Sequence, residues 1–548
     1  MFTRRCLSLA LFGLAAIIGP VRAAAADAPT APTLVVRVRS IDGLVGDVKY
    51  LATLAGRGEE AKQFEGLINA RVGSKGLEGI DTKRPLGLYG TLDANLMEST
   101  AALLIPISDQ KAFLGLLEGF GFTAKKEDDG IYSITLENLP FPVYFRFANQ
   151  YVYATAREKT ALDKSKLLDP KKVLAANPNE TLSASFRIDQ IPEVFKQLIT
   201  SQVEVKLADL EDEKQAGETE AQRKLRVQAT KESAKQVTAL FNEGSELALR
   251  LGINRTANDI YAEFTLSAKP NTELASSIAK AASTPSLFAG LQSSSSALGI
   301  FLHGAVPENA RQQFIKAIDE HYQAFLSQLE KEKDPNKRAV VEKLFGAVLP
   351  TLKAGELDVA ADLRGPTKNK HYAAVAAIKL KDGQGLEKVL RSLREQVPEA
   401  EREKIKLDAE TAGSVKIHRL DVQGQFDEHA KKLFGSNPVY VGFRSDALFV
   451  AGGDGGLTLL KDAVAAKPGV LPPLKVDVSI ARLAPLLGEK QKADMNAVAQ
   501  KAFGGAGKDN DKIQFIVEGG KAAKLRFAVK ADVIKFFSLL DKANKGEE

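Results

Sequence analysis

The sequence has one cysteine and no tryptophan among its 548 residues. The cysteine, Cys6, stands before a short apolar run at the N-terminus. We expect this region to be removed, which would leave a mature chain without disulfides or thiol chemistry. Stability must then come from buried apolar surface, and a chain of this length can bury a large amount of it. The lack of tryptophan disfavours a sugar-binding protein that stacks aromatic rings on its ligand.

Long hydrophobic runs are also scarce. Residues 7–19 form the only one, and they follow Arg4 and Arg5 and precede a run of alanines. A positive end, a short apolar middle and small residues at a cleavage site are features of a secretory signal peptide. Residues 1–26 are therefore predicted to be a signal peptide, with the cleavage site and the export route (general secretory or twin-arginine) left open. The mature protein is predicted to be periplasmic or extracellular, without a transmembrane segment, since a membrane span needs about 20 apolar residues.

Charge of one sign is not in large excess. The formal net charge of +6 includes Arg4, Arg5 and Arg22, and it falls to +3 when the signal peptide is removed. Positive and negative residues are interspersed along the rest of the chain, which therefore lacks the basic patch of a nucleic-acid-binding protein. We exclude nucleic acid as a partner.

The chain does contain an internal repeat. Three segments of its first half align without gaps with three segments of its second half, in the same order: 101–120 with 374–393, 142–154 with 438–450, and 181–191 with 473–483. The middle pair reads PVYFRFANQYVYA in the first copy and PVYVGFRSDALFV in the second. Self-similarity in a fixed order indicates duplication of a unit of roughly 250 residues.

Apolar residues recur with two different periods. Alternation with period two predicts strands with one buried face at 182–188, 247–253, 357–363 and 474–480. Spacings of three and four predict amphipathic helices at 112–120 and 386–393, and longer helices at about 191–242 and 305–352. We therefore predict an α+β protein of two similar lobes, each an extended, mainly antiparallel sheet with amphipathic helices on one face.

The predicted domain boundaries follow from the repeat and from changes in composition. They are a first lobe at 27–283 with a charged helical arm at about 203–242, a serine- and glycine-rich linker at 284–296, and a second lobe at 297–548.

A strand-to-helix signature occurs at 105–113, IPISDQKAF, and continues to the strand YVYATA at 151–156. This pattern resembles large exported bacterial proteins of unknown function that are built from duplicated strand–helix blocks. The second copy, IKLKDGQGL at 378–386, lacks the proline and the serine. The resemblance implies the fold and the export of the chain, and it implies no activity.

No catalytic residue, metal site or cofactor is predicted. The chain has no HExxH, calcium-loop or G-x-S-x-G motif, and its histidines are scattered: His303, His321, His371, His418 and His429. The glycine-rich turns at 451–460 and 503–510 depart from phosphate-binding motifs. The aspartates that begin predicted helices are interpreted as helix caps, namely Asp42, Asp109, Asp189, Asp382 and Asp454.

The repeated hairpin is the most distinctive feature, because it carries apolar or aromatic groups on both faces. The positions that stand out are Tyr144, Tyr151, Tyr153, Tyr440 and Phe449. They belong either to a central strand pair that is covered on both sides or to a concave sheet whose second face lines an apolar groove. We favour packing.

The pattern as a whole favours an exported, non-catalytic binding or scaffold protein of the cell envelope. Apolar positions are kept between the repeats while polar ones change, as at Arg146 and Gly442. The partner would be an unknown envelope protein or an apolar ligand. Two alternatives are a carrier that holds a lipid in a groove between sheet and helices, and a hydrolase whose site is assembled from dispersed carboxylates.

Overall fold

The computed structural model describes residues 31–546, apart from 64–65, 67–75, 128, 136–139, 157, 176–178, 213–216, 219, 307, 331–334, 423–426, 488–493 and 506–507. The predicted signal peptide, 1–26, lies outside the described residues. The described chain divides into two compact units. The first contains residues 31–48, 62–251 and 266–274, and the second contains 49–61, 252–265 and 275–546.

Much of the protein is antiparallel β-sheet. In chain order they are β1 Leu34–Val38, β2 Leu86–Thr91, β3 Thr100–Pro106, β4 Lys125–Lys126, β5 Tyr132–Ile134, β6 Val143–Ala148, β7 Tyr151–Ala156, β8 Glu180–Phe186, β9 Gly244–Asn254, β10 Asp259–Ala268, β11 Pro285–Ser286, β12 Ser296–Ala305, β13 Glu356–Arg364, β14 Ala373–Lys379, β15 Ile405–Ala412, β16 Val415–Leu420, β17 Val439–Arg444, β18 Ala447–Gly453, β19 Gly469–Val470, β20 Leu474–Ser479, β21 Lys512–Glu518 and β22 Ala523–Lys530. The four strands predicted from alternation are confirmed as β8, β9, β13 and β20.

Helices connect and follow these strands. They are α1 Ile41–Leu54, α2 Gln110–Gly119, α3 Pro170–Val173, α4 Glu193–Asp212, α5 Glu220–Glu243, α6 Glu273–Ser283, α7 Glu308–Leu329, α8 Pro335–Ala354, α9 Gly383–Gln396, α10 Glu399–Arg402, α11 Glu428–Phe434, α12 Gly456–Ala465, α13 Ile480–Leu487, α14 Met495–Phe503 and α15 Ala531–Lys545. The amphipathic helices predicted at 112–120 and 386–393 are confirmed as α2 and α9. No described helix is long and apolar enough to cross a membrane.

The strand neighbours in the first unit run β4, β5, β6, β7, β3, β2, β1, β8, all antiparallel. Those in the second unit run β15, β16, β17, β18, β14, β13, β12, β20, β21, β22, also antiparallel. The α+β class with a large antiparallel sheet is therefore confirmed.

In each unit a cluster of buried apolar side chains covers one face of the sheet. The first unit packs Tyr89, Leu104 and Tyr153 against Leu162 and Leu174. The second unit packs residues of β13, β14 and β18 against α12, and Phe288 and Leu291 join this core. These two residues lie in the segment predicted as a linker, 284–296, and both are almost completely buried.

The charged segment predicted as a helical arm, 203–242, comprises the end of α4 and nearly all of α5. Arg226 of α5 pairs with Glu218 at 2.8 Å and donates to the carbonyl of Leu210 at 3.0 Å. The two helices therefore pack on each other as a helical hairpin.

Candidate apolar binding site

One face of the sheet in the second unit is apolar from strand to strand. Residues directly opposite each other in antiparallel strands place their side chains on the same face. Three rows follow from the register across β22, β21, β20, β12, β13, β14, β18 and β17. The first row is Leu525, Val517, Leu474, Leu302, Val359, Ile378, Leu448 and Phe443; the second is Phe527, Phe515, Val476, Ile300, Ala361, Ala376, Val450 and Val441; the third is Val529, Ile513, Val478, Leu298, Leu363, Ala374 and Gly452.

Helices cover part of these rows. On β17 and β18, Val441, Phe443 and Leu448 pack with Leu344 of α8 and Leu386 of α9. On β20 to β22, the third-row residues Val478, Ile513 and Val529 pack with residues of α13, α14 and α15. The β17–β18 end of the rows and the third row on β20 to β22 are therefore ordinary core.

The first two rows are partly exposed from β14 to β22. Leu302 is 38% exposed, Ile378 is 39% exposed and Phe527, at the β22 end, is 43% exposed. We call this part of the first two rows, on β12, β13, β14, β20, β21 and β22, the open face. An apolar surface of this extent, bordered by helices, is typical of a binding site and uncommon elsewhere on soluble proteins.

A depression of about 320 Å³ lies at one side of the open face. Its floor is made by small residues on adjacent strands: Ala361, Ala374, Ala376 and Gly452. Leu298, Leu363, Val439, Val450 and Phe434 surround them. The space exists because no large side chain rises from this part of the sheet.

The aromatic positions singled out from the sequence lie on the opposite face of the hairpins. Tyr151 and Tyr153 belong to the covered core of the first unit and Tyr144 packs against it. Phe449 lies in the covered core of the second unit, where Tyr440 packs against it. Each hairpin is also covered on its other face, by clusters around Phe145 and Phe443.

The buried tyrosines use their hydroxyls at the edge of the core. Tyr153 donates to the carbonyl of Leu168 at 2.8 Å and accepts from Asn149 Nδ2 at 2.9 Å. Tyr151 donates to the carbonyl of Pro85 at 3.0 Å. Burial raises the pKa of Tyr153 to about 12, so this hydroxyl stays protonated.

Among the described residues, one group has the composition of a metal site. Glu387 of α9, Asp408 of β15 and His418 of β16 each place a ligand atom within 4.8 Å of the others. Arg391 already lies between the two carboxylates, with Nη2 at 2.6 Å from Glu387 Oε1 and 2.6 Å from Asp408 Oδ1. Its hydrogen bond to Asp408 holds the pKa of that carboxyl below its usual range.

The histidine of this cluster is oriented against metal binding. His418 is completely buried, and its Nδ1 accepts a hydrogen bond from the backbone N–H of Asp408 at 3.1 Å. The neutral ring must then carry its proton on Nε2, the atom that faces Glu387 Oε1 at 3.4 Å. A protonated nitrogen cannot bind a metal, and the guanidinium already bonds to both carboxylates. The cluster fits an ion-pair network that fastens α9 to the sheet and does not fit a metal site.

The aspartates predicted as caps divide into two groups. Asp109 accepts from the N–H of Ala112 at 2.7 Å and Asp382 accepts from Gly385 at 2.7 Å, which confirms capping for both. The prediction is wrong for Asp454, because α12 begins after Gly455 in a left-handed conformation and Asp454 accepts from Thr367 instead.

The prediction is also wrong for two further aspartates. Ser40, rather than Asp42, accepts from the first turn of α1, through the N–H of Gly43 at 2.9 Å. Asp189 lies inside a short 3₁₀ turn and pairs with Arg187 at 3.0 Å.

Comparison with known proteins adds no function. No protein-family model and no curated protein matches the chain. A solved structure titled crystal form IV of TP0453 aligns over 44% of this chain and 81% of its own, at 11% identity and a TM-score of 0.21. A likeness of this degree carries no argument about what the chain does.

Proposed function

We propose that this protein is an exported, non-catalytic binding protein that holds an apolar ligand, such as the acyl chain of a lipid, on its open face. The observation that carries this proposal is the exposure of the apolar rows at Leu302, Ile378 and Phe527. Charged residues make up 26% of the sequence, yet none points out of these rows.

Burial of exposed apolar surface would supply the free energy of binding. Each methylene group transferred from water to an apolar surface contributes about 0.8 kcal/mol. An acyl chain that lies along the open face removes from water both its own methylene groups and the side chains beneath it. Helices border this surface over β17 and β18 and over the third row on β20 to β22, which favours an elongated ligand over a broad one.

The internal repeat supports the proposed history of the chain. The neighbour order β4, β5, β6, β7, β3, β2, β1, β8 corresponds strand by strand to β15, β16, β17, β18, β14, β13, β12, β20. We infer that the two halves are similar lobes that arose by duplication. This agrees with the resemblance to exported proteins built from duplicated blocks, and residues 1–26 supply the proposed export signal.

The proposal predicts a loss of ligand binding when charge is placed on the open face. Leu302→Asp and Ile378→Asp introduce carboxylates that would have to lose their water shell beneath a bound chain. Both residues are more than a third exposed in the free protein, so the substitutions should leave the fold intact. Titration with a fluorescent fatty acid is expected to show saturable binding to the original chain and a tenfold or greater loss in each variant.

The matched control is Val470→Asp. Val470 is 70% exposed, belongs to the second unit and lies outside the apolar rows. Unchanged binding in Leu302→Asp, or an equal loss in Val470→Asp, would contradict the proposed site. If no fatty acid binds and a protein is retained only by the original chain, the partner is an envelope protein and the lipid proposal fails.

A further inference from the structure

The floor of the depression differs from the corresponding floor in the first unit. Ile378 of β14 corresponds to Ile105 of β3 in the aligned repeats, so Ala376 corresponds to Leu103. The cross-strand partner of Ala376 is Ala361, and that of Leu103 is Leu88. Two alanines of the second unit therefore stand where the first unit has two leucines.

We propose that the depression binds the methyl end of one unbranched alkyl chain, and that Ala361 and Ala376 provide the room for it. This inference rests on the proposed function and specifies its ligand. The volume of about 320 Å³ lies at the lower end of the range for ligand pockets, roughly 300–1,000 Å³. It suits one chain better than two chains or a fused ring system.

The chemistry of the lining supports a chain end rather than a headgroup. The surrounding side chains are those of Leu298, Leu363, Val439, Val450 and Phe434. Asp362 also borders the depression, but it alternates with Ala361 and Leu363 on β13 and places its carboxylate on the opposite face. There Oδ2 accepts from Arg364 Nε at 2.6 Å.

A polar headgroup would find no partner in this lining and would lose its hydration. The chain must therefore enter with its methyl end first. The length of chain that fits is then set by the floor, which makes Ala361 and Ala376 specificity-determining residues.

The test is a series of saturated fatty acids of increasing length, each displacing a fluorescent fatty acid from the protein. In the unsubstituted protein, affinity should rise roughly fourfold for each added methylene until the depression and the open face are filled, and then level off. The double variant Ala361→Leu, Ala376→Leu gives the second unit the two leucines of the first. The rise in affinity should then end at a fatty acid several carbons shorter, and the affinity for short fatty acids should be retained.

The control is Ala262→Leu in β10, which adds the same side chain to the second unit on a strand away from the depression. Gly452→Ala is an independent second variant. A β-carbon there would meet Val439 Cγ2 at 3.5 Å, an ordinary contact, so the strand can accept it. It should shorten the limit as well, while Ala262→Leu should leave it unchanged.

The outcomes separate this inference from the proposed function. If affinity levels off at the same fatty-acid length in the unsubstituted protein and in both floor variants, the open face binds the fatty acid but the depression does not. This inference is then overturned. If fatty acids do not bind the original chain at all, the proposed function fails and the inference fails with it.

Discussion

At the scale of single residues, Arg391 shows how the protein holds a helix against its sheet. It forms two hydrogen bonds to Asp408, at 2.6 and 3.1 Å, and approaches Glu387 at 2.6 Å. Charge-assisted bonds of this kind are stronger than neutral ones and fix geometry through the planar guanidinium. They join α9, which walls the open face, to β15. His418 lies beneath them, tilted against the ring of Phe443 with centroids 5.9 Å apart.

His418 predicts a pH dependence of stability. Burial lowers the pKa of His418, although Glu387 and Asp408 nearby oppose this effect and Arg391 adds to it. The unfolded chain therefore takes up a proton at about pH 6.5, whereas the folded chain stays neutral until lower pH. The unfolding free energy should be complete above pH 6.5 and should fall below it, by at most about 1.4 kcal/mol per pH unit from this residue.

The measurement is urea unfolding at several pH values between 7.5 and 5. His418→Phe should remove part of the fall in unfolding free energy, because phenylalanine takes up no proton. The fold should accept the ring, since the corresponding position in the first unit is Tyr132. His321→Gln on the exposed side of α7 is the control and should keep the full slope. Equal slopes in the original chain and in His418→Phe would show that His418 does not set this dependence. Asp408 contributes only at lower pH, because its pKa lies below its usual range.

Helix caps were predictable from the sequence where the capping residue and its partner lie in the same turn. Asp109 and Asp382 cap helices through a bond that spans three residues, so the sequence contains the whole motif. The cap predicted at Asp454 is wrong because Thr367 and Asn369, from another loop, donate hydrogen bonds to its carboxylate. The Arg391 cluster could not be found, since Glu387, Asp408 and His418 come from three elements and share no motif.

At the scale of elements, alternation identified strands but not which face is covered. In β22, Leu525 and Phe527 alternate with Lys524 and Arg526, a pattern typical of a strand whose apolar face is buried. Both are exposed instead, at 40% and 43%. Coverage depends on helices that are distant in sequence, and their placement has no local signal. The open face was therefore not predictable, although a groove between sheet and helices was among the alternatives.

The helical hairpin of α4 and α5 is an element that should be separable from the first unit. Its ion pair between Arg226 and Glu218 is internal, and within the described residues the two helices pack mainly on each other. Replacing residues 203–233 by a short Gly–Ser linker should leave the melting temperature within about 4 °C of the original. Thermal unfolding followed by circular dichroism is the measurement. A loss of cooperative unfolding would show that the hairpin is part of the core.

At the scale of the whole molecule, the proposed duplication accounts for both the repeated sequence and the difference between the halves. Three aromatic positions recur in the hairpins at 143–156 and 439–453, where both faces are packed: Tyr144 and Tyr440, Phe147 and Phe443, and Tyr153 and Phe449. Positions on the floor of the depression are free of this constraint. There the second half has Ala361 and Ala376 where the first half has Leu88 and Leu103. On the proposed history, this divergence made room for the depression.

The most direct test of this account is native mass spectrometry of the protein purified from the cell envelope, followed by denaturation and identification of any released molecule. The account predicts a chain that lacks residues 1–26 and carries one acyl-chain compound in stoichiometric amount. Leu302→Asp should yield the same chain without the compound. A homogeneous mass with no bound molecule, unchanged after incubation with fatty acids, would contradict the account.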